Sequence, residues 1–272
     1  MNISLLNKPL SFVKRDFLID ISYRIGFILQ FGGIFVSTLM FFFLSRLVGT
    51  GMANQMEPYG GNYFSFVLIG IAFEDYLSVS LGSFASQIRS AQVMGTLEAL
   101  LVTPTSASML LFSSTLYNFF FTSFRIVLYL FMGIIVFGVT LNVTSLAAFS
   151  LIMVLTILSF LGIGLLSAAF IIAFKQGSPV SWVMGSASGL LGGVFYPVSV
   201  LPPWLSPFAD LLPITHALEA MRRVLLTGAS LDAVYNEILI LAGFVILLLP
   251  SGLLAFGYGL KLARKEGSLI QY

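Results

Sequence analysis

The chain contains no cysteine, so it can form no internal disulfide bond, thiolate metal site or cysteine nucleophile. It has a single histidine, His216, and no His-Glu-x-x-His pattern, which argues against a histidine-based metal site. Its 272 residues also lack a Gly-x-x-x-x-Gly-Lys-Ser/Thr loop, the usual cradle for nucleotide phosphates. We therefore expect no enzyme and no cofactor in this chain, and another chain must bind ATP if ATP is used.

Charged residues are scarce as well. They make up 9% of the chain, against about 25% in soluble domains, while 58% of the residues are hydrophobic. The mean hydropathy is +1.02. A net charge of only +2 leaves no basic surface that could neutralise several phosphates, so nucleic acid is not an expected partner. This composition is typical of a protein that lies in a lipid membrane.

Long apolar runs dominate the sequence. A helix needs about 20 apolar residues to cross the hydrocarbon core, where its backbone groups must be satisfied internally. Six runs are candidates, of which the fifth is short and glycine-rich: 25–44, 63–85, 109–137, 146–174, 180–196 and 238–260. The sequence predicts an all-α membrane protein with six transmembrane helices in a single domain over residues 1–272.

Basic residues in the connections predict the orientation, because Lys and Arg are retained on the cytoplasmic side. With the N-terminus inside, most of them lie inside: Lys8, Lys14, Arg15, Arg24, Arg89, Lys175, Lys261, Arg264 and Lys265. Only Arg46, Arg222 and Arg223 lie outside. Both termini are therefore predicted to be cytoplasmic.

Two segments flank the predicted crossings without crossing themselves. In residues 1–24, apolar side chains recur at helical spacing, which predicts a helix along the inner membrane surface; the alternative is an ordinary cytoplasmic lead-in. No cleavage pattern follows, so we expect no removable signal peptide. Residues 198–230 are apolar but broken by proline, which predicts short re-entrant helices in the outer leaflet.

The predicted cytoplasmic connection, residues 86–104, could form a short helix with one apolar stripe. Arg89, Gln92 and Glu98 would then remain available to an aqueous partner. Because its ends join two membrane helices, a partner that pushes on this segment can move both of them. The alternative is a plain interhelical loop.

Two stretches of sequence resemble one family. Residues 95–104, Gly-Thr-Leu-Glu-Ala-Leu-Leu-Val-Thr-Pro, look like the signature of bacterial type-2 ATP-binding-cassette (ABC-2) exporter permeases. Residues 193–198, Gly-Val-Phe-Tyr-Pro-Val, also resemble that family, together with the proline-rich stretches 201–205 and 212–222 that follow. The two motifs lie in the right topological places, and the six-crossing layout matches too.

The resemblance implies the permease subunit of an ATP-driven exporter in the bacterial inner membrane, in contact with lipid. It implies a second permease copy and two copies of an ATP-binding-cassette nucleotide-binding subunit, which would hold ATP and Mg²⁺. The cargo stays open between a drug-like amphiphile, a lipid and a lipid-linked polysaccharide. The implied ATPase-coupling residues are Arg89, Gln92, Gly95, Thr96, Leu97 and Glu98. The implied outer gate contains Phe195, Tyr196 and Pro197, with His216 and Glu219 on the re-entrant segment.

The outer cluster has a second interpretation. His216, Glu219, Arg222 and Arg223 could contact substrate during release, or they could simply solvate or cap a short helix.

Three charges lie near the centres of predicted crossings. Glu74 and Asp75 are in the second and Arg125 is in the third, where an isolated charge costs several kcal/mol, so we expect ion pairing between them. Their role in packing or in gating stays open. An alternative function is an ion-coupled secondary transporter using Glu74 and Asp75, although no inverted repeat is visible. A third is a membrane scaffold without transport activity.

Glycine pairs occur within two of the predicted crossings. Gly162 and Gly164 lie in the fourth, and Gly185 and Gly189 lie in the fifth. Such residues are expected to allow close contact between helices.

Overall fold

The computed structural model describes residues 3–49, 51–93, 107–142, 144–174 and 179–265. Within these ranges every regular element is helical, which confirms the predicted all-α class. The helices are α1 (Ile3–Ser22), α2 (Arg24–Val48), α3 (Ala53–Met56), α4 (Tyr63–Val93), α5 (Ala107–Ile135), α6 (Leu146–Phe174), α7 (Pro179–Leu191), α8 (Ser206–Asp210), α9 (Pro213–Leu226) and α10 (Tyr235–Lys265). Short 3-10 turns lie at Glu57–Tyr59, Val198–Val200 and Asp232–Val234.

Five helical stretches of the described residues are long and apolar enough to cross a membrane. They match the first, second, third, fourth and sixth predicted crossings. They are Arg24–Val48, Tyr63–Phe84, Thr115–Ile135, Leu146–Phe174 and Asp232–Leu262. The chain is therefore a multi-pass membrane protein.

The predicted fifth crossing differs from the other five. Helix α7 has 13 residues, or about 20 Å, against a hydrocarbon core of about 30 Å. The chain then bends through residues 192–196, where Gly193 has a φ of +75°, a conformation that glycine adopts without strain. With five crossings the termini would lie on opposite sides. The topology with both termini inside requires the predicted fifth crossing, residues 180–196, to span the membrane as well. This topology stays a prediction.

Helix α4 is the centre of the bundle. In an 18-residue window of its spanning stretch 78% of the residues are buried, compared with 11% in α2 and 17% in the stretch Asp232–Leu262. Its side chains Phe66, Phe73 and Tyr76 are fully buried, and it packs against α5, α6, α7 and α9. Helices α2 and α10 therefore present most of their apolar surface outward, as lipid-facing helices do.

The most extensive helix contact joins α6 and α10. A Cβ atom on Gly162 would lie 2.6 Å from the backbone carbonyl carbon of Leu248, and one on Gly252 would lie 2.6 Å from the carbonyl oxygen of Gly162. A Cβ on Gly164 would overlap the Ser80 carbonyl oxygen of α4. The expected packing role of Gly162 and Gly164 is confirmed, because both lie where backbones approach too closely for a side chain.

We expect Gly162→Ala to destabilise the protein by about 1–3 kcal/mol, since the methyl group meets backbone that cannot rotate away. The matched control is Gly243→Ala on α10, because nothing lies within 4 Å of a Cβ there. Thermal unfolding in detergent should show a lower Tm for the first variant and an unchanged or higher Tm for the control. Equal Tm values would contradict the close contact.

Helix α1 lies beside α5. The Tyr117 hydroxyl donates a hydrogen bond to the Asp20 carboxylate at 2.6 Å, which joins the end of α1 to α5. Leu10 and Phe17 are 63% and 44% exposed, so part of the apolar face of α1 is not covered by protein. Such a face suits a helix at a membrane surface, although this placement of residues 1–24 stays a prediction.

Most of the predicted coupling segment lies outside the described residues. Arg89 and Gln92 belong to the part of α4 that continues beyond its spanning stretch, but their side chains are not among those described. Gly95, Thr96, Leu97 and Glu98 lie outside the described residues.

Candidate functional site

An ion pair joins α4 and α5 at the middle of their spans. The Arg125 Nη2 atom lies 3.1 Å from Asp75 Oδ2, and the two side chains are 24% and 19% exposed. The Tyr76 hydroxyl donates to the Phe119 carbonyl oxygen at 2.8 Å, which adds a second polar contact between these helices. Consecutive antiparallel helices bring these residues to the same depth, as the sequence led us to expect for Asp75 and Arg125.

Glu74 does not share in this ion pair. Among the described residues no basic side chain lies within 4.0 Å of its carboxylate. It borders a cavity of about 370 Å³ between α4 and α7. The other lining residues are Leu77, Ser78, Leu81 and Gly82 of α4, and Ser181 and Gly185 of α7.

A second cavity lies next to the first along α4. It has a volume of about 400 Å³ and is lined by α1, α2, α4 and α5, with Asp20, Gln30, Asn118, Thr122 and Arg125 among its polar residues. Ser78 and Gly82 border both cavities. The two adjacent carboxylates therefore differ in surroundings, because Asp75 has a cation beside it and Glu74 faces a separate cavity.

Arg222 on α9 is the most buried charged side chain of the described residues, with 2% exposure. Its guanidinium donates three hydrogen bonds to backbone carbonyl oxygens: Nη1 to Gly193 at 2.7 Å, Nη2 to Val194 at 3.0 Å and Nε to Phe66 at 3.2 Å. Its Cζ atom lies 3.3 Å from the centroid of the Phe66 ring. One side chain thus ties α9 to the bend after α7 and to α4.

The electrostatics of Arg222 follow from this setting. Burial lowers its pKa to about 9, and the nearby Tyr59 and Glu219 act in the opposite direction. The guanidinium therefore stays protonated at neutral pH, and all three of its hydrogen bonds are charge-assisted.

Of the interpretations given for the outer cluster, solvation does not apply to Arg222, because its side chain is buried. Arg222 lies on the apolar face of α9 beside Leu218, Met221 and Leu225, each of them buried. A cation on the apolar side of an amphipathic helix was the signal in the sequence that could have identified it.

The predicted outer-gate residues fall into two groups. Phe195 stacks on Phe41 of α2, with ring centroids 5.5 Å apart, and the Tyr196 hydroxyl donates to the Leu190 carbonyl oxygen. Pro197, His216 and Glu219 come together around a cavity of about 310 Å³, which Tyr59 and Arg222 also line. The structure therefore separates the first two residues from the last three.

Hydrogen bonds and ion pairs organise the rim of this cavity. The Tyr59 hydroxyl donates to Glu219 Oε2 at 2.6 Å, and Arg223 Nη1 lies 2.9 Å from Glu237 Oε1. Burial raises the pKa of the Tyr59 hydroxyl, and its hydrogen bond to Glu219 raises it further. His216 Nε2 donates to the Asp210 carbonyl oxygen at 2.9 Å, at the end of α8. His216 thus caps a short helix, which was one of its two interpretations.

A family model described as "ABC-2 type transporter" matches residues 23–226 of the chain. The chain belongs to this family. The match extends from the first span through α9, so it includes the central charges and the Arg222 anchor.

Two curated relatives of this ABC-2 permease come from Escherichia coli (strain K12). The chain is 26% identical over 190 residues to "Inner membrane transport permease YadH", and the match covers 68% of this chain and 70% of that protein. It is 30% identical over 144 residues to "Probable multidrug ABC transporter permease YbhR", covering 53% of this chain and 39% of that protein.

The family and the apolar helices together identify a multi-pass transport permease of the bacterial inner membrane. Membership in the ABC-2 family implies an ATP-binding-cassette ATPase as its partner. Within the described residues no group of three or more His, Cys, Asp or Glu side chains could hold a metal ion.

Proposed function

We propose that the chain is the membrane subunit of an exporter that moves an amphiphilic, lipid or lipid-linked substrate out of the cytoplasm or the inner leaflet. The family match over residues 23–226 carries this proposal. The 272 residues contain no phosphate-binding loop, so the partner ATPase would bind ATP and Mg²⁺. Two ATPase subunits and a second permease copy would complete the transporter.

Helix α4 has the shape that a lever needs. Its 31 residues extend over about 46 Å, which exceeds the hydrocarbon core of about 30 Å. The excess lies at the end that carries Arg89 and Gln92, which is the first part of the coupling segment. Because the same helix carries Asp75 and contacts the Arg222 side chain, a push at this end would reach both the central ion pair and the outer bend.

The outer bend is the part that would open for release. The cavity beside Pro197, His216 and Glu219 lies between α9, α10 and the bend, and residues 198–230 would form its re-entrant wall. Irregular backbone is tolerated at membrane depth where protein shelters it or where it lines a cavity.

The ion-coupled alternative has less support. Of the two carboxylates that it would use, Asp75 is paired with Arg125 in the structure, and no inverted repeat is visible in the sequence.

Copurification tests the proposal. The tagged chain, purified from its native membrane in mild detergent, should bring down a P-loop ATPase. Glu98→Arg should reduce the recovered ATPase at least fivefold, because it reverses a charge in the proposed coupling segment. Glu57→Arg is the matched control, since Glu57 is an exposed residue of the connection between α2 and α4, away from that segment. A chain that is reproducibly recovered alone would contradict the exporter.

A further inference from the structure

Glu74 is a carboxylate in the middle of a membrane span that has no counterion among the described residues. The adjacent Asp75 is compensated by Arg125. A charged group at this depth is expensive, and such groups in membrane helices mark substrate or ion pathways. A cation that comes from outside the chain would therefore compensate the charge of Glu74.

The cavity beside Glu74 has the size and lining of a small-molecule site. Its volume of about 370 Å³ lies in the range of ligand pockets, about 300–1,000 Å³. Leu77 and Leu81 supply apolar surface, and Ser78, one helical turn from Glu74, adds a hydroxyl group to the lining. One charged group on a mostly apolar wall is a suitable environment for an amphiphile with a positively charged head.

Glycines hold this cavity open. Nothing lies within 4 Å of a Cβ placed on Gly82 or on Gly185, in contrast to the tight contacts at Gly162. The expectation that Gly185 serves close helix packing is therefore wrong. A Cβ on Gly189 would lie 3.6 Å from Glu74 Oε1, which places the carboxylate against α7. Without side chains at Gly82 and Gly185, the space between α4 and α7 stays unfilled.

We propose that the cavity between α4 and α7 binds the cationic head of an amphiphilic substrate, with Glu74 as its counterion. Leu77 and Leu81 contact the apolar part of the molecule. The description of the bound molecule as a transport substrate rests on the proposed export function. The ammonium group could belong to a drug-like amphiphile or to an aminophospholipid, because both offer the same charge next to apolar chains.

Binding of tetraphenylphosphonium to the purified permease tests the site without the ATPase. The chain is placed in phosphatidylglycerol nanodiscs, and equilibrium dialysis against labelled probe is corrected with empty nanodiscs. Saturable binding is expected, and Glu74→Gln should weaken it at least tenfold. Labelled tetraphenylborate, of nearly the same size and opposite charge, is dialysed separately because the two ions precipitate together, and it should show no saturable binding. Equal affinity for both ions, or equal binding by the variant, would overturn the proposal.

A second variant tests whether probe binding requires the open cavity as well as the charge of Glu74. Gly185→Leu should fill the cavity and remove probe binding, while the protein keeps its Tm because the added side chain meets no backbone. Its control is Gly243→Leu, which makes the same change at an open position of α10, and Glu57→Gln is the control for Glu74→Gln. Unchanged binding in Gly185→Leu would place the probe elsewhere and overturn the proposal.

The lipid composition of the nanodiscs distinguishes a lipid head group from a soluble amphiphile as the source of the cation. Phosphatidylethanolamine in the nanodiscs should lower the apparent probe affinity of the wild type, and not that of Glu74→Gln, if a lipid head group is the natural occupant. No change would assign the site to a soluble amphiphile. Because this assay requires no ATPase, a failure to bind leaves the copurification result intact, and the two proposals fail separately.

Discussion

Replacing Arg222 with leucine should prevent the protein from accumulating in a folded form. The substitution removes all three donors to the carbonyl oxygens of Phe66, Gly193 and Val194. The carbonyl groups of Gly193 and Val194 lie in the bend outside the helices, and each costs about 1–3 kcal/mol when it is left buried without this partner, so the total loss is several kcal/mol. Fluorescence-detected size-exclusion chromatography in mild detergent would measure the loss of the monodisperse peak.

Two further variants make this expectation specific. Arg222→Lys keeps the charge but not the planar fork, so it should yield folded protein with a lower Tm than the wild type. Arg223→Leu should have a small effect, because Arg223 is 40% exposed and its ion pair with Glu237 lies at the rim. A normal elution profile and Tm for Arg222→Leu would show that the bend after α7 does not depend on this side chain.

The sequence indicated the membrane helices well because length and hydropathy decide them. Five of the six predicted crossings coincide with spans of the structure. The remaining one, the fifth predicted crossing at residues 180–196, counted an apolar run through Gly192 and Gly193, where the chain turns out of the helix. Composition alone does not distinguish an apolar bend held by a distant arginine from an apolar helix.

The charged residues show a similar limit. The depth of a charged residue in the membrane can be inferred from the sequence, because it depends on the position of that residue along its predicted span. Which of two adjacent carboxylates meets Arg125 depends on the rotation of α4 about its axis, since neighbouring residues on a helix point about 100° apart. Helix α4 is buried on nearly all sides, so its sequence has no lipid-facing stripe from which to infer that rotation.

The second large effect is expected at the central ion pair. Arg125→Leu removes the cation beside Asp75 and leaves that carboxylate uncompensated within the span. Loss of one partner from a buried pair costs about 3–5 kcal/mol, so the Tm of the purified protein should fall well below that of the wild type. Asp75→Asn should also destabilise, because it leaves the arginine without its counterion.

The double variant decides whether the pair acts as a unit. Arg125→Leu combined with Asp75→Asn removes both charges, and it should recover most of the stability that either single change loses. Glu74→Gln is the control one residue away, and it should leave the Tm unchanged or higher because it removes a charge that has no partner among the described residues. Additive losses in the double variant would mean that Arg125 and Asp75 stabilise the protein independently. A loss in Glu74→Gln as large as that in Asp75→Asn would mean that Glu74 is structural, and it would count against the cavity beside Glu74 as a place for a foreign cation.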